Sequence, residues 1–312
     1  MAWLALTCPQ CGSPLPRVAL WRSVKCGSCG ALIAKTESVV TRDSFRQALN
    51  RARQASVGLD ALVCGGAPYQ LVQRLGTGEI SEVHLARRTG SSSLLATIKL
   101  SSAPSAAAHY AQEAQVAREL QRLDPDGAGP YFSLLLPEVI AQGPVEGSPG
   151  RQALVLRHPN GYSGSLASLN DRFASGLEPR HTVWIWRRML EVLNFIHTHG
   201  WSHGDLRPEH ALVHAQDHAV RLIGWTSSSK HAGQNEKAAD LCRSARVVQV
   251  LLCGTSSPNF PDTVPAGLAQ LVTRAASNED FCRSQGAHGL DALLQAEAKA
   301  AFGPPSFVPL II

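Results

Sequence analysis

The sequence contains no run of eighteen apolar residues, which excludes a membrane-spanning helix of ordinary length. It has little charge: 17% of its 312 residues are Asp, Glu, Lys or Arg, against 44% hydrophobic. That balance excludes a disordered tail, and the length and lack of repetition exclude a peptide and a fibrous chain. A basic n-region is missing from Met1–Cys11, where cysteine and proline come almost at once. A secretory signal is therefore not expected, and the cytoplasm is the default compartment. There the eight cysteines read as thiols or metal ligands rather than disulfides. Enough apolar material remains for one large domain or two unequal ones.

A strong excess of one charge is also missing. The formal net charge is +5, and residues 1–60 hold all of it, with eight Lys or Arg and three Asp or Glu. That local excess is small. The basic face then reads as ordinary solvated surface, and nucleic acid is a poor candidate partner. Trp3 and Trp21 are the only tryptophans of this segment, so it offers few rings for base stacking.

Cysteine is concentrated at the start. Cys8-Pro9-Gln10-Cys11 and Cys26-Gly27-Ser28-Cys29 are two C-x2-C pairs separated by fourteen residues, each followed by a glycine, Gly12 and Gly30. Two intervening residues let both sulfurs of a pair turn inward from one tight knuckle. Val18–Lys25 reads as a strand entering the second knuckle and Ala31–Ala34 as one leaving it. The pattern resembles a four-cysteine zinc ribbon over residues 1–38, with Cys8, Cys11, Cys26 and Cys29 as ligands of a structural zinc. All four tetrahedral positions would be thiolate, which leaves none for a reacting water. A thioredoxin-like redox pair is the competing reading, but the helix it needs after the pair is missing. Cys64, Cys242, Cys253 and Cys282 lack paired spacing and read as buried thiols. Residues 39–68 read as a linker carrying one helix, with Phe45, Ala48, Leu49 and Ala52 at helical spacing.

From Tyr69 onward the pattern changes to strand, glycine-rich turn, strand. Tyr69–Leu75 leads to Gly76-Thr77-Gly78-Glu79-Ile80-Ser81, and Glu82–Arg88 follows directly. This is not the strand–loop–helix setting of a dinucleotide or Walker A loop. A hairpin with such a turn can fold over phosphates. A third strand, Leu94–Leu100, carries Lys99 on the face opposite Ala96 and Ile98. The helix from about Ala106 to Leu123 places Glu113 fourteen residues after Lys99, with Glu119 as the poorer alternative. A strand lysine held by a helix glutamate can meet two phosphates of a nucleotide. Phe132–Ala141 and Gln152–Arg157 read as two further strands, for five strands and one helix in all. Beyond a hinge at His158–Gly161 the chain reads as helical. Pro179–His199 carries a stripe of Val183, Ile185, Trp186, Met189, Leu190, Leu193 and Ile196 that reads as core. Short strands at Ala211–His214 and Ala219–Ile223 flank the segment after His203–His210.

Residues 69–312 resemble the protein kinase fold, in a degenerate, bacterial-looking form, with a small lobe over 69–157 and a large lobe over 162–312. The resemblance rests on the order and spacing of several motifs. Gly76, Gly78 and Val83 match G-x-G-x-x-G-x-V with Ser81 at the third glycine, and Ala96-Thr97-Ile98-Lys99 matches V-A-I-K. His203-Gly204-Asp205-Leu206-Arg207-Pro208-Glu209-His210 matches the catalytic loop H-R-D-L-K-P-x-N, with glycine for arginine, arginine for lysine and histidine for asparagine. Asp240 resembles the buried aspartate that backs that loop. The fold class implied is α+β: a bilobal kinase-like fold preceded by a zinc ribbon.

The resemblance assigns Lys99, Glu113 and Asp205 to the catalytic set, with Asp205 either a vestigial or an alternative base. It places Gly76, Gly78, Ser81, Val83, Ala96, Lys99, His210 and Gly224 around a nucleotide such as ATP. It also shows what is missing. The family holds two Mg²⁺ ions with the loop asparagine and the aspartate of D-F-G, and here those residues are His210 and Gly224. Glycine offers no ligand, and imidazole suits a hard, oxygen-seeking cation poorly. Glu209 or Asp217 would have to supply any rearranged metal route. Trp225 is expected in the hydrophobic place of the D-F-G phenylalanine. Only thirteen residues separate Thr226 from Asp240, with no A-P-E, so a peptide-substrate platform is not expected. The leading expectation is a pseudokinase that binds a protein partner, with or without nucleotide. The alternatives are an atypical phosphotransferase using Lys99, Glu113 and Asp205, and a nucleic-acid module built on the ribbon.

Overall fold

The computed structural model describes residues 60–90 and 94–312, together with the backbone of two strands nearer the start, β1 (Ser23–Lys25) and β2 (Leu32–Ala34). These two pair antiparallel, Val24 opposite Ile33, within the stretches read as strands on either side of the second cysteine pair. The cysteines themselves and the linker helix lie outside the described residues.

The rest divides into two compact units. One comprises residues through Ala114 together with Val139–Asn160, and the other Gln115–Glu138 together with Gly161–Ile312. The first holds an antiparallel sheet of β3 (Ala61–Cys64), β4 (Ala67–Thr77), β5 (Glu82–Arg88), β6 (Leu95–Ser101), β7 (Val139–Pro144) and β8 (Gln152–Arg157), in the order β3-β4-β5-β6-β8-β7. Side chains alternate along each strand. Tyr69 and Leu71 of β4, Ala96, Ile98 and Leu100 of β6, and Ala153 and Val155 of β8 meet in one core. Leu154 and Leu156 of β8 point the other way, against Ala106, Tyr110 and Ala114 of α1 (Ala106–Leu120). β8 is covered on both faces, which explains its unbroken apolar run.

Two expectations need correction here. The sheet has six strands, not five, because Ala61–Cys64 falls in the stretch read as linker and pairs with β4, Cys64 opposite Ala67. Gly65 and Gly66 form the connecting turn, with φ of 59° and 69°. Two consecutive positive φ values make the hairpin turn whose twist matches its strands, and glycine adopts them at least cost. The second correction concerns Phe132–Ala141. Instead of one strand, Gly129–Phe132 forms a short helix (α2), Ser133–Leu135 a 3-10 turn, and β7 begins at Val139. The run Leu134-Leu135-Leu136 is apolar because Leu135 and Leu136 enter the second unit's core, with Val116 and Leu120 of α1. The turn's carbonyls are satisfied by side chains. Gln121 donates to Ser133, Leu136 and Pro137, and buried Arg221 to Leu134 and Leu136.

The second unit is built on α4 (Pro179–Thr198), which follows the short α3 (Leu166–Arg172). The predicted stripe is buried from Ile185 to Ile196, while Val183 at its start is only partly buried. At about 1.5–3 kcal/mol for each large apolar side chain, it is the main source of cohesion. Trp186 also donates its indole N–H to Ser244 Oγ at 3.0 Å, on α5 (Gln234–Cys253). α6 (Ala266–Ser277) and α7 (Glu279–Phe302), the latter kinked at Gly286, pack beside these helices. Two small antiparallel pairs complete the unit: β10 (Ala211–His214) with β11 (Ala219–Leu222), and β9 (Trp201–Ser202) with β12 (Ser229–Lys230). No helix of the described residues is long and apolar enough to cross a membrane.

Candidate functional site

In the first unit the glycine-rich turn joins β4 to β5 and is closed by Gly78 N–H donating to the Ser81 carbonyl at 2.7 Å. Gly76 and Gly78 have negative φ, and no atom lies where a Cβ would strike. The local fold does not require glycine at either place. A cavity of about 450 Å³ opens beside the turn, lined by residues 77–82, 100–102 and Arg151. Ser81, at the third glycine position, accepts a hydrogen bond from the Tyr110 hydroxyl at 2.8 Å. Ile80 packs into the cluster of Ala106, Tyr110 and Ala114. The turn is thereby fastened to α1 at two neighbouring points.

Val83 lies opposite Lys99 in the β5–β6 register, and Ala96 is fully buried on the other face. Lys99 Nζ donates to Glu113 Oε1 at 2.6 Å and Oε2 at 2.8 Å. The carboxylate is 3% exposed and the lysine side chain 18%, so the pair is largely out of water. Removing one partner of such a pair costs about 3–5 kcal/mol, because the other is left buried and uncompensated. Glu113 follows Tyr110 by three residues, which puts both on one face of α1. Glu119 is not the partner of Lys99. It bonds Lys230 of β12 at 2.7 Å, and that bond, helped by Gln115, holds its carboxyl below the ordinary range.

In the second unit, Asp240 organises the loop that follows β9. Its fully buried carboxylate accepts from His203 N–H at 2.6 Å, Gly204 N–H at 2.9 Å and His197 Nε2–H at 3.1 Å. Burial pushes its pKa up, but the His197 bond, the two imidazoles and the Gly204 amide outweigh this and hold it below the ordinary value. Glycine at 204, where the family has arginine, has a local cause: φ is 83°, and a Cβ would stand 2.1 Å from the Ser227 carbonyl oxygen. His203 Nε2 lies 3.0 Å from the Ile223 carbonyl, which only accepts, so the proton sits on Nε2. Its Nδ1 then receives the Asp205 backbone N–H at 3.3 Å. Burial, against the pull of Asp240, lowers its pKa to about 4, so the ring is neutral at physiological pH. Trp225 is buried against His203 and donates to the Leu222 carbonyl at 3.0 Å. It fills an apolar place, as expected.

Asp205 is half-exposed and paired through Oδ2 with Arg207 at 2.9 Å. His210 turns its ring back on the same loop, Nδ1–H donating to the Asp205 carbonyl at 2.6 Å. Asp217 is engaged with His214 at the turn between β10 and β11, and Glu209 is exposed. Among the described residues no group of three or more His, Cys, Asp or Glu side chains could hold a metal ion. The short segment after Trp225 returns as β12, where Lys230 also lies over the Trp201 ring at 5.7 Å. Sequence reasoning passed over Tyr110 and Arg221. The first was signalled by a lone aromatic in a helix rich in Ala, Gln and Glu. The second carried no local signal, since its carbonyl partners lie 85 and 87 residues away.

No protein-family model matches the sequence. Among solved structures, the chain is similar to the crystal structure of the Mycobacterium tuberculosis PknI kinase domain. The TM-score is 0.54 at 20% identity, over 76% of this chain and 98% of that one. Identity at this level speaks for architecture and not for activity. The sheet, the helix bearing Glu113 and the helical unit around Asp240 have a protein kinase-like fold.

Proposed function

We propose that this chain is a pseudokinase, a regulatory or scaffolding module that binds a protein partner and lacks both usual Mg²⁺ ligands. One observation carries the reading. The supports of the catalytic loop are in place, with Asp240 bonded to His203 and Gly204, while the two metal positions present an imidazole bonded to its own loop and a glycine. Phosphoryl transfer needs cations to neutralise the charge on the β- and γ-phosphates, and Lys99 and Asp205 do not replace them. Nucleotide remains a candidate regulatory ligand, supported by the open Gly76 and Gly78 and by the formed Lys99–Glu113 pair. The zinc ribbon, with Cys8, Cys11, Cys26 and Cys29 holding a structural zinc, serves as an adaptor for the partner.

The same Lys99–Glu113 pair favours a second reading, an atypical ATP-dependent phosphotransferase with Asp205 as base. Thermal unfolding with ATP, with and without Mg²⁺ or Mn²⁺, separates the two. The pseudokinase reading expects either no shift, or a shift independent of metal that Lys99→Ala removes. Metal-dependent phosphate transfer that Asp205→Ala abolishes would establish the second reading in its place.

A further inference from the structure

A kinase-like fold implies a divalent cation beside the catalytic loop, and the residues present do not fit one. Gly224 has φ 78° and is buried. A Cβ built on it would stand 2.6 Å from His210 Cδ2, 2.7 Å from Nε2 and 2.8 Å from Cγ. Any side chain at 224 therefore begins inside the imidazole of His210. Swinging the ring aside would break its hydrogen bond, and the backbone that carries it is pinned. Its Nδ1–H is bonded to the Asp205 carbonyl, its backbone N–H to the Arg207 carbonyl at 2.9 Å, and its carbonyl receives Ile223 N–H at 2.8 Å. The residue on one side of the gap is thus tied to the strand that ends beside Gly224 on the other.

We infer that His210 and Gly224 are one coupled device that closes the cation site: the imidazole occupies the room a metal-binding side chain at 224 would need. Neither replacement alone reverses this. Asparagine at 210 removes the outer ring atoms but leaves glycine with no ligand, and aspartate at 224 drives its Cβ into the ring. A nucleotide bound beside this loop is accordingly taken as the free anion, without a divalent ion. This last step rests on the pseudokinase reading, whereas the steric coupling stands apart from it.

The test compares the full chain with Gly224→Asp, His210→Asn and the double variant. Without metal, Gly224→Asp is expected to lower the melting temperature by roughly 5 °C, as overpacking of a buried site does. In an added His210→Ala background, which removes every overlapping ring atom, the same change is expected to cost less, the strain of a side chain at φ 78° remaining in both backgrounds. With ATP present, only the double variant is expected to gain a Mg²⁺- or Mn²⁺-dependent upward shift. If Gly224→Asp does not fold, Gly224→Ala against His210→Ala carries the same cycle, because the overlap begins at Cβ. Equal losses from the 224 change in both backgrounds would overturn the coupling alone. A Mg²⁺-dependent shift with ATP in the unaltered chain would overturn the cation exclusion together with the pseudokinase reading.

Discussion

His203 is fully buried, donates through Nε2 to Ile223, and accepts at Nδ1 from the amide of Asp205. Only the neutral ring can do both, since an imidazolium has no acceptor. With a folded pKa of about 4 against 6.5 when unfolded, the unfolded chain binds more protons between those values. Stability from this group is therefore complete above pH 6.5 and lost as pH falls toward 4, by roughly 3 kcal/mol. His181 and His218 are also depressed by burial and add to the same trend, so the measurement is a difference. His203→Gln is expected to be less stable than the parent at pH 7, with the gap closing as pH is lowered through that window. Denaturant curves that stay parallel from pH 7 to 4 would show that the ring does not titrate this way. Asp240 acts lower, its contribution fading only below the ordinary aspartate range. At this scale the sequence was informative where a motif fixes a residue by distance along the chain, as for the Lys99–Glu113 pair and buried Asp240. It was silent on Gly204, whose requirement comes from a carbonyl 23 residues away in sequence, that of Ser227.

Helix α1 meets the sheet of its own unit through two links on one face, Tyr110 to Ser81 and Glu113 to Lys99. The first depends on serine, where the family pattern has glycine. Ser81 therefore has a structural role: its hydroxyl fastens the turn to the helix. Tyr110→Phe removes the part-buried bond to Ser81, together with the hydroxyl's interaction with Ser101, and keeps the packing, a loss of about 1 kcal/mol. Its local effect is expected to be larger than its global one. Amide exchange at Gly78, whose N–H is bonded to Ser81 within the turn, should quicken, while exchange in β8 stays unchanged. Unaltered exchange at Gly78 would show that the turn is held by its own geometry. Element boundaries were legible where periodicity is long, as along α4. They failed at Leu134–Leu136, where a short apolar run fits a buried turn as well as a strand. The strand Ala61–Cys64 was in principle readable from its Gly-Gly turn, but its four residues carry too little alternation to stand out.

Across the whole chain, the order of motifs revealed a kinase-like fold at an identity of only 20% to a solved example. Fold survives such divergence because it asks only for apolar residues at the right period, whereas chemistry asks for particular groups at particular atoms. The proposed ribbon would reverse that relation. On the proposed ribbon reading, residues 1–38 are too few to enclose a core of their own, so four thiolates and one metal would supply most of their folding free energy. The paired strands Ser23–Lys25 and Leu32–Ala34 lie on either side of Cys26 and Cys29 in the sequence, where a ribbon's second knuckle belongs. Purified protein is expected to hold one zinc ion per chain. Cobalt in its place should show the intense visible bands of a tetrahedral thiolate site. Cys26→Ser should weaken retention sharply, and acid should release the metal as thiolates take up protons. Protein that carries no zinc when purified, and binds neither zinc nor cobalt after reduction, would remove the ribbon. The cysteine pairs would then return to the redox reading, which predicts a disulfide-linked form that reductant dissolves.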